Sequence, residues 1–184
     1  LCDRRQRQMC IRDRYGELPL GYDHKYVYSH FGYNLKATDM QAAVGCAQIV
    51  KFPKFVERRR ENFDRLKAGL AGTEGKLILP VPCENSRPSW FGFLITCKEG
   101  VDRNKVVQYV ENHGVQTRML FAGNLTKHPC FDQMRATGEG YRIVGELTNT
   151  DRIMNDTFWV GVYPGMTDEM IDYMAKTIKE AVDQ

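Results

Sequence analysis

The stretch HFGYNLKATDMQAAVGCAQIV (residues 30–50) joins two textures, and the join decides how the chain is organised. Up to it, residues 15–35 are crowded with aromatics and glycine and carry no helical period, which predicts an ordered loop. Inside it, Thr38 is followed three residues later by Gln41, the signature of a capping-box helix start. Met40, Ala43, Val44 and Ala47 then recur at one-face spacing, among small residues that let a neighbouring element come close. Pro53 lacks an amide donor and clashes with the turn before it, so the helix is expected to break or kink there.

Working outward, a second helix is expected to bury Phe55, Val56, Phe63, Leu66 and Leu70 and to end by Gly72. Its other face carries the charge run Glu57 to Arg60 and a Glu61–Arg65 pair at i,i+4, a solvated face rather than a binding patch. From Lys76 the pattern changes to short strands alternating with helices. Strands are expected at 77–79, 90–97, 115–121 and 158–162, and residues 122–157 read as irregular with short helices. One helix is expected over 103–112, capped by Asp102 and closed by Gly114. The last is capped by Thr167 and turns Met170, Ile171, Met174, Ile178 and Ala181 inward. The class is α/β, a sheet covered by helices. The expected divisions are a tail at 1–14, the end of one domain at 15–50, a connector at 51–74 and a small domain at 75–184.

Charge narrows the function classes once it is located. The net +3 arises within residues 1–14, where five arginines face Asp3 and Asp13; the remaining 170 residues hold 21 basic and 21 acidic side chains. A basic arm suggests nucleic acid or an anionic membrane. The arm has few apolar residues and no period, and composition changes abruptly at Tyr15, so it is expected to be a non-native tail. Without it the chain is neutral and lacks a basic–aromatic patch, so no nucleic-acid partner is expected. No run reaches the roughly 18–20 apolar residues of a membrane helix, and no signal-peptide pattern is present. A cytoplasmic location is expected. The six cysteines show no CxxC spacing and suggest neither a metal site nor disulfides.

No P-loop, GxGxxG, HExxH or GxSxG is present. What remains is a density of aromatic, His, Asn and Arg residues in loops, where binding groups tend to sit. His30, Tyr33 and Asn34 form either an ordered aromatic turn or a set of polar donors for an anion. In SWFGF (residues 89–93), Phe93 suits the sheet core, while an aromatic at the strand's start could stack on a planar ring. Arg118 lies in an apolar strand followed by Phe121, and burial there would demand a partner, acidic side chain or anionic ligand. Arg152 pairs with Asp151 or faces a phosphate or carboxylate.

Residues 21–50 resemble a segment of the DegT/DnrJ/EryC1/StrS family of nucleotide-sugar aminotransferases. The match runs through Gly32, Tyr33, Asn34, Lys36, Thr38, Asp39, Gln41, Ala42 and Ala43, and VYPGMTDEMIDY near the C-terminus resembles that family's last strand and helix. The stretches PSWFGFLIT, TRMLFAGNLTKHPCF and VGELTNTDRIMNDTFWVGVYPG resemble its NDP-4-keto-6-deoxyhexose 3-dehydrase branch, in particular the CDP-linked members of lipopolysaccharide dideoxysugar synthesis. A generic sugar aminotransferase is not expected to share AGNLTKHP or GELTNTDRIMN.

The resemblance implies the C-terminal part of a PLP-dependent type I aminotransferase fold: the end of the large domain, a connector helix and the small α/β domain. It implies a homodimer with shared active sites, acting on a nucleotide-linked 4-keto-6-deoxyhexose and removing its C3 hydroxyl with pyridoxamine phosphate as cofactor. In the CDP-linked branch it further implies a [2Fe–2S] cluster and a flavin/iron–sulfur reductase partner. Asn34 matches a residue reaching the partner subunit's cofactor phosphate. Phe91 and Arg152 match substrate-lining positions, and His30, Tyr33, Arg118 and Phe121 are further lining candidates. The catalytic base and cluster ligands fall upstream of residue 15, so no catalytic residue is assigned here and the chain is expected to be inactive alone. The alternatives are a PLP-dependent nucleotide-sugar aminotransferase, which carries a lysine where the dehydrase has histidine, and a non-catalytic binding module with a basic arm.

Overall fold

The computed structural model describes residues 37–184. The chain divides into two compact units, Leu1–Val44 and Gly45–Gln184. Helix α1 (Asp39–Ile49) begins as its sequence dictates. The Gln41 amide donates to Thr38 Oγ1 at 3.3 Å and the Thr38 amide to Gln41 Oε1 at 2.9 Å, a closed capping box. None of its residues is buried, so the expected apolar face, with Met40 and Val44, is exposed.

Helix α2 (Phe52–Gly69) carries Pro53 in its first turn, where the missing N–H has no intrahelical partner to lose. Beyond it come β1 (Leu77–Ile78), β2 (Gly92–Cys97), α3 (Arg103–Asn112) and β3 (Thr117–Met119). Two single-turn 3-10 segments, Leu125–Lys127 and Pro129–Phe131, precede α4 (Asp132–Thr137), α5 (Thr148–Asp156), β4 (Thr157–Gly161) and α6 (Asp168–Val182). The four strands form one antiparallel sheet in the order β1-β2-β4-β3.

Alternation along the central strands sorts the sheet into two faces. Phe93, Ile95 and Cys97 of β2 and Phe158, Val160 and Val162 in and after β4 are inward and fully buried. Phe63, Leu66 and Leu70 of α2, Val106 and Val110 of α3, and Ile171, Met174 and Ile178 of α6 join them in one core. Caps hold two of these helices: Asp102 accepts from the amides of Asn104 and Lys105, and Thr167 Oγ1 from the amide of Met170. Cross-strand register gives the opposite face, here called the outer face, Ile78, Leu94, Thr96, Thr157, Trp159, Gly161 and Arg118. Thr96 and Thr157 hydrogen-bond across it at 2.8 Å.

Several expectations need correction. Phe55 is 42% exposed, because the first turns of α2 run past the core and only the later ones enter it. The α2 charge run is not simply solvated: Arg58 donates to Asp168 at 2.6 Å and Arg60 to the carbonyls of Pro88 and Arg87. Arg65 turns to α6 rather than to Glu61, forking onto Asp172 at 2.8 and 2.7 Å and reaching Asp168 at 2.9 Å. A bidentate interhelical partner outcompetes a single neighbour on the same helix. Met170 is half-exposed, at the rim of α6's buried stripe. Strand β3 stops at Met119 because the Phe121 amide turns back to the Met119 carbonyl at 2.7 Å.

Candidate functional site

The outer face is organised by Trp159. Its ring lies over Gly92, where an added Cβ would stand 2.5 Å from the ring's Cε3. Only glycine there lets an indole lie flat on the neighbouring strand. The indole Nε1 donates to the Met119 carbonyl at 3.1 Å, tying β4's outer face to the end of β3. Phe91 meets the indole edge-on with centroids 5.4 Å apart and remains 60% exposed.

Arg118 stands directly across from Trp159 in the β3–β4 register. It lies on an edge strand and is exposed, so the burial penalty expected from its apolar neighbours does not arise, and among the described residues no ion pair engages it. Phe121 follows in a tight turn with φ of 49°, a left-handed conformation uncommon for a bulky side chain, and is 75% exposed. Such outliers persist where surrounding contacts enforce them. Beside this patch an apolar groove of about 490 Å³ runs along the β3 edge, walled by Trp159, Tyr163, Met170 and Tyr173 with Arg118 at its margin.

The turn after Phe121 is fixed by a polar clamp. Gly123 takes φ of 56° and sits so close to Met154 of α5 that an added Cβ would come within 2.7 Å of it. Asn124 is buried; its Oδ1 accepts from the Thr126 amide at 3.1 Å and hydroxyl at 2.7 Å, and its Nδ2 donates to Asp151 of α5 at 2.7 Å. Lys127 reaches the same Asp151 oxygen at 2.8 Å. These contacts, Lys127 first and Asn124 second, hold the Asp151 carboxyl below its ordinary pKa. His128 hydrogen-bonds the Ala122 carbonyl at 2.6 Å, and Arg135 binds the carbonyls of Thr126 and His128.

Phe91, Arg118 and Phe121 therefore gather around Trp159 and the end of β3. Arg152 lies exposed on α5, which the clamp ties to the turn bearing Phe121. It does not pair with Asp151 among the described residues: consecutive helical residues point about 100° apart, and Asp151 is taken by Asn124 and Lys127. His30, Tyr33 and Asn34 lie outside the described residues. From sequence, Asp151 enters only as a candidate partner of Arg152, and neither Trp159 nor Asn124 is singled out. For Trp159 the available signal was its place in the alternation FWVGV, opposite the inward Phe158 and Val160. Among the described residues no cluster of three His, Cys, Asp or Glu side chains could hold a metal, and no helix is long and apolar enough to cross a membrane.

The DegT/DnrJ/EryC1/StrS aminotransferase family matches residues 4–179. The lipopolysaccharide biosynthesis protein RfbH of Salmonella typhimurium is 54% identical over 167 residues, covering 90% of this chain and 37% of that protein. The dTDP-4-dehydro-2,6-dideoxy-D-glucose 3-dehydratase of Saccharopolyspora spinosa is 52% identical over 169 residues, covering 91% of this chain and 35% of that protein. The chain thus spans little more than a third of the length of these relatives. The structure of Escherichia coli GDP-4-keto-6-deoxy-D-mannose-3-dehydratase with bound hydrated PLP superposes with a TM-score of 0.67 at 23% identity, over 85% of this chain and 39% of that one. That likeness shows the fold, the C-terminal part of a PLP-dependent aminotransferase architecture. By sequence and by fold, the chain belongs to the DegT/DnrJ/EryC1/StrS aminotransferase family.

Proposed function

We propose that this chain supplies the substrate-facing wall of a pyridoxamine-phosphate-dependent NDP-4-keto-6-deoxyhexose 3-dehydrase, acting in deoxysugar and lipopolysaccharide synthesis. The observation that carries the proposal is the grouping on one sheet face of Phe91, Trp159 and Arg118, with Phe121 beside them and Arg152 on the adjoining clamped helix. Exposed rings and guanidinium groups suit a ligand that joins a sugar to an anionic diphosphate. The 52% identity to a sugar 3-dehydratase favours dehydration over amination.

The described residues fit the substrate side of such a site better than the cofactor side. The sheet residues of the outer face include no lysine, histidine or carboxylate, so they provide no acid–base group and no partner for a pyridine nitrogen. When bound, pyridoxamine phosphate supplies the amine that engages the sugar's C4 ketone and the electron sink that lets the C3 hydroxyl depart. The chain's own work is orientation: Phe91 and Trp159 pack on the sugar, and Arg152 and Arg118 hold the diphosphate or a sugar hydroxyl. Asn34 is assigned to the cofactor phosphate of a partner subunit, and His30 and Tyr33 to the lining. The homodimer, the iron–sulfur cluster and its reductase partner belong to the same proposal for the complete protein.

The test is product analysis. The complete protein, loaded with pyridoxamine phosphate, is given a nucleoside-diphosphate 4-keto-6-deoxyhexose together with glutamate and, in a parallel arm, with a reduced flavin/iron–sulfur reductase, because replacing C3–OH by C3–H releases water and consumes two electrons. The expected product has lost the C3 hydroxyl and gained no nitrogen, and the 184-residue chain alone gives no turnover. An aminated sugar would replace the proposal with the aminotransferase.

A further inference from the structure

Helix α5 has an unusual basis for its position. None of its nine residues is buried, and its N-cap residue Leu147 gives no side-chain hydrogen bond. A short helix without a buried face has little intrinsic stability. What fixes it comes from elsewhere in the sequence and is mostly polar. Asn124, 3% exposed, donates to Asp151 at 2.7 Å, Lys127 meets the same carboxylate at 2.8 Å, and Met154 packs on the side-chain-free Gly123. Arg103 adds a hydrogen bond to the Asn155 carbonyl at 2.7 Å. Asn124 is itself immobilised, because its Oδ1 caps the following 3-10 turn through Thr126.

We infer that Asn124, Asp151 and Lys127 are positioning residues that aim Arg152 at the substrate, which rests on the proposed role of Arg152 at the sugar-nucleotide site. The geometry gives the reason. Asp151 and Arg152 are consecutive on α5, so fixing the Asp151 side chain toward the Asn124 turn fixes the direction in which Arg152 leaves the helix. The same turn carries Phe121 three residues before Asn124. One buried amide therefore sets the relative placement of an aromatic and a cation that contact the same ligand. Asp151 faces Lys127 and Asn124 and remains ionised at neutral pH, so the clamp is closed under working conditions.

The experiment is a mutant cycle in the complete, cofactor-loaded protein, using Asp151→Asn, Lys127→Met, Arg152→Met and the double variant Asp151→Asn/Arg152→Met. Asp151→Asn keeps the shape and one hydrogen-bond acceptor for Asn124 while removing the charge, and Lys127→Met leaves the Asn124–Asp151 bond intact, so a folded variant is available in either case. Misplacing a binding group by about an ångström costs roughly tenfold to a hundredfold in rate. The expected result is a fall of about tenfold in kcat/KM for Asp151→Asn, carried mainly by KM, and no further fall when it is added to Arg152→Met. Rescue by Asp151→Glu, which restores the charge, is expected to be partial. If Arg152→Met lowers kcat/KM while Asp151→Asn and Lys127→Met leave it unchanged, or if the losses add in the double variant, the positioning role is wrong and the substrate role stands. If Arg152→Met itself changes nothing, the role of Arg152 on which the inference rests has failed.

Discussion

Gly92→Ala puts one methyl group between β2 and the indole of Trp159. The new Cβ would lie 2.5 Å from Trp159 Cε3, 3.1 Å from Cζ3 and 3.2 Å from Cδ2, so the indole must lift off the strand. Overpacking of this kind costs about 1–3 kcal/mol. Lifting the ring also breaks the Nε1 hydrogen bond to Met119 at 3.1 Å, worth about 0.5–1.5 kcal/mol net. Against this, alanine is favoured over glycine in a strand by about 0.5–1 kcal/mol. The three ranges combine to a net loss of about 0.5–4 kcal/mol, centred near 2 kcal/mol. Urea unfolding followed by circular dichroism measures it, and the control is the same substitution in a Trp159→Leu background. There the clash is gone, and Gly92→Ala should be neutral or stabilising by about 0.5–1 kcal/mol. An equal cost in both backgrounds would refute the steric argument, as would a stabilising Gly92→Ala in the unaltered chain.

Leu66 is fully buried between α2 and the sheet, so Leu66→Ala should lower stability by about 2–5 kcal/mol, read as a shift in the urea midpoint. Burial pushes the Cys97 thiol up to about 11, so a disulfide reagent at neutral pH should label Cys46, Cys83 and Cys130 and spare Cys97 until the chain unfolds; prompt labelling of Cys97 would count against the core assignment. Arg65 holds the Asp172 carboxyl below its ordinary range. A depressed carboxylate stabilises the fold above its unfolded pKa, about 3.9, and that contribution is lost as pH falls through the lower folded value. Thermal midpoints should accordingly fall below about pH 4, and Arg65→Met should flatten that part of the profile.

Local rules carried much of the fold. The capping box at Thr38 and Gln41 and the caps at Asp102 and Thr167 close within a few residues, so sequence alone locates them. Strict alternation in β2 and β4 likewise separates Phe93, Ile95, Phe158 and Val160 from the outer face. Decisions that depend on a distant partner were not legible. Arg65 chooses Asp172 over Glu61 only when α6 lies beside α2. Arg118 needs no partner for its charge because β3 turns out to be an edge strand, which strand order and not composition decides.

The site divides in the same way. Phe91, Arg118, Phe121 and Arg152 enter as candidates through family resemblance, whereas the contacts that hold them in place could not be read from the sequence. Trp159 matters because Gly92 lies diagonally across from it, a relation that appears only once β2 and β4 are in register. Asn124 and Asp151 stand 27 residues apart, in the segments AGNLTKHP and GELTNTDRIMN. Their hydrogen bond ties the two segments together in the fold, a contact that neither segment shows by itself.

The most direct test of the outer face as the substrate surface is the kinetics of Phe91→Ala in the complete, cofactor-loaded protein. Phe91 is exposed and outside the core cluster, so the urea midpoint should change little. Losing an aromatic platform worth about 0.5–1.5 kcal/mol should lower kcat/KM for the nucleotide sugar by about twofold to tenfold. An unchanged kcat/KM with the fold intact would contradict the assignment of this face to substrate.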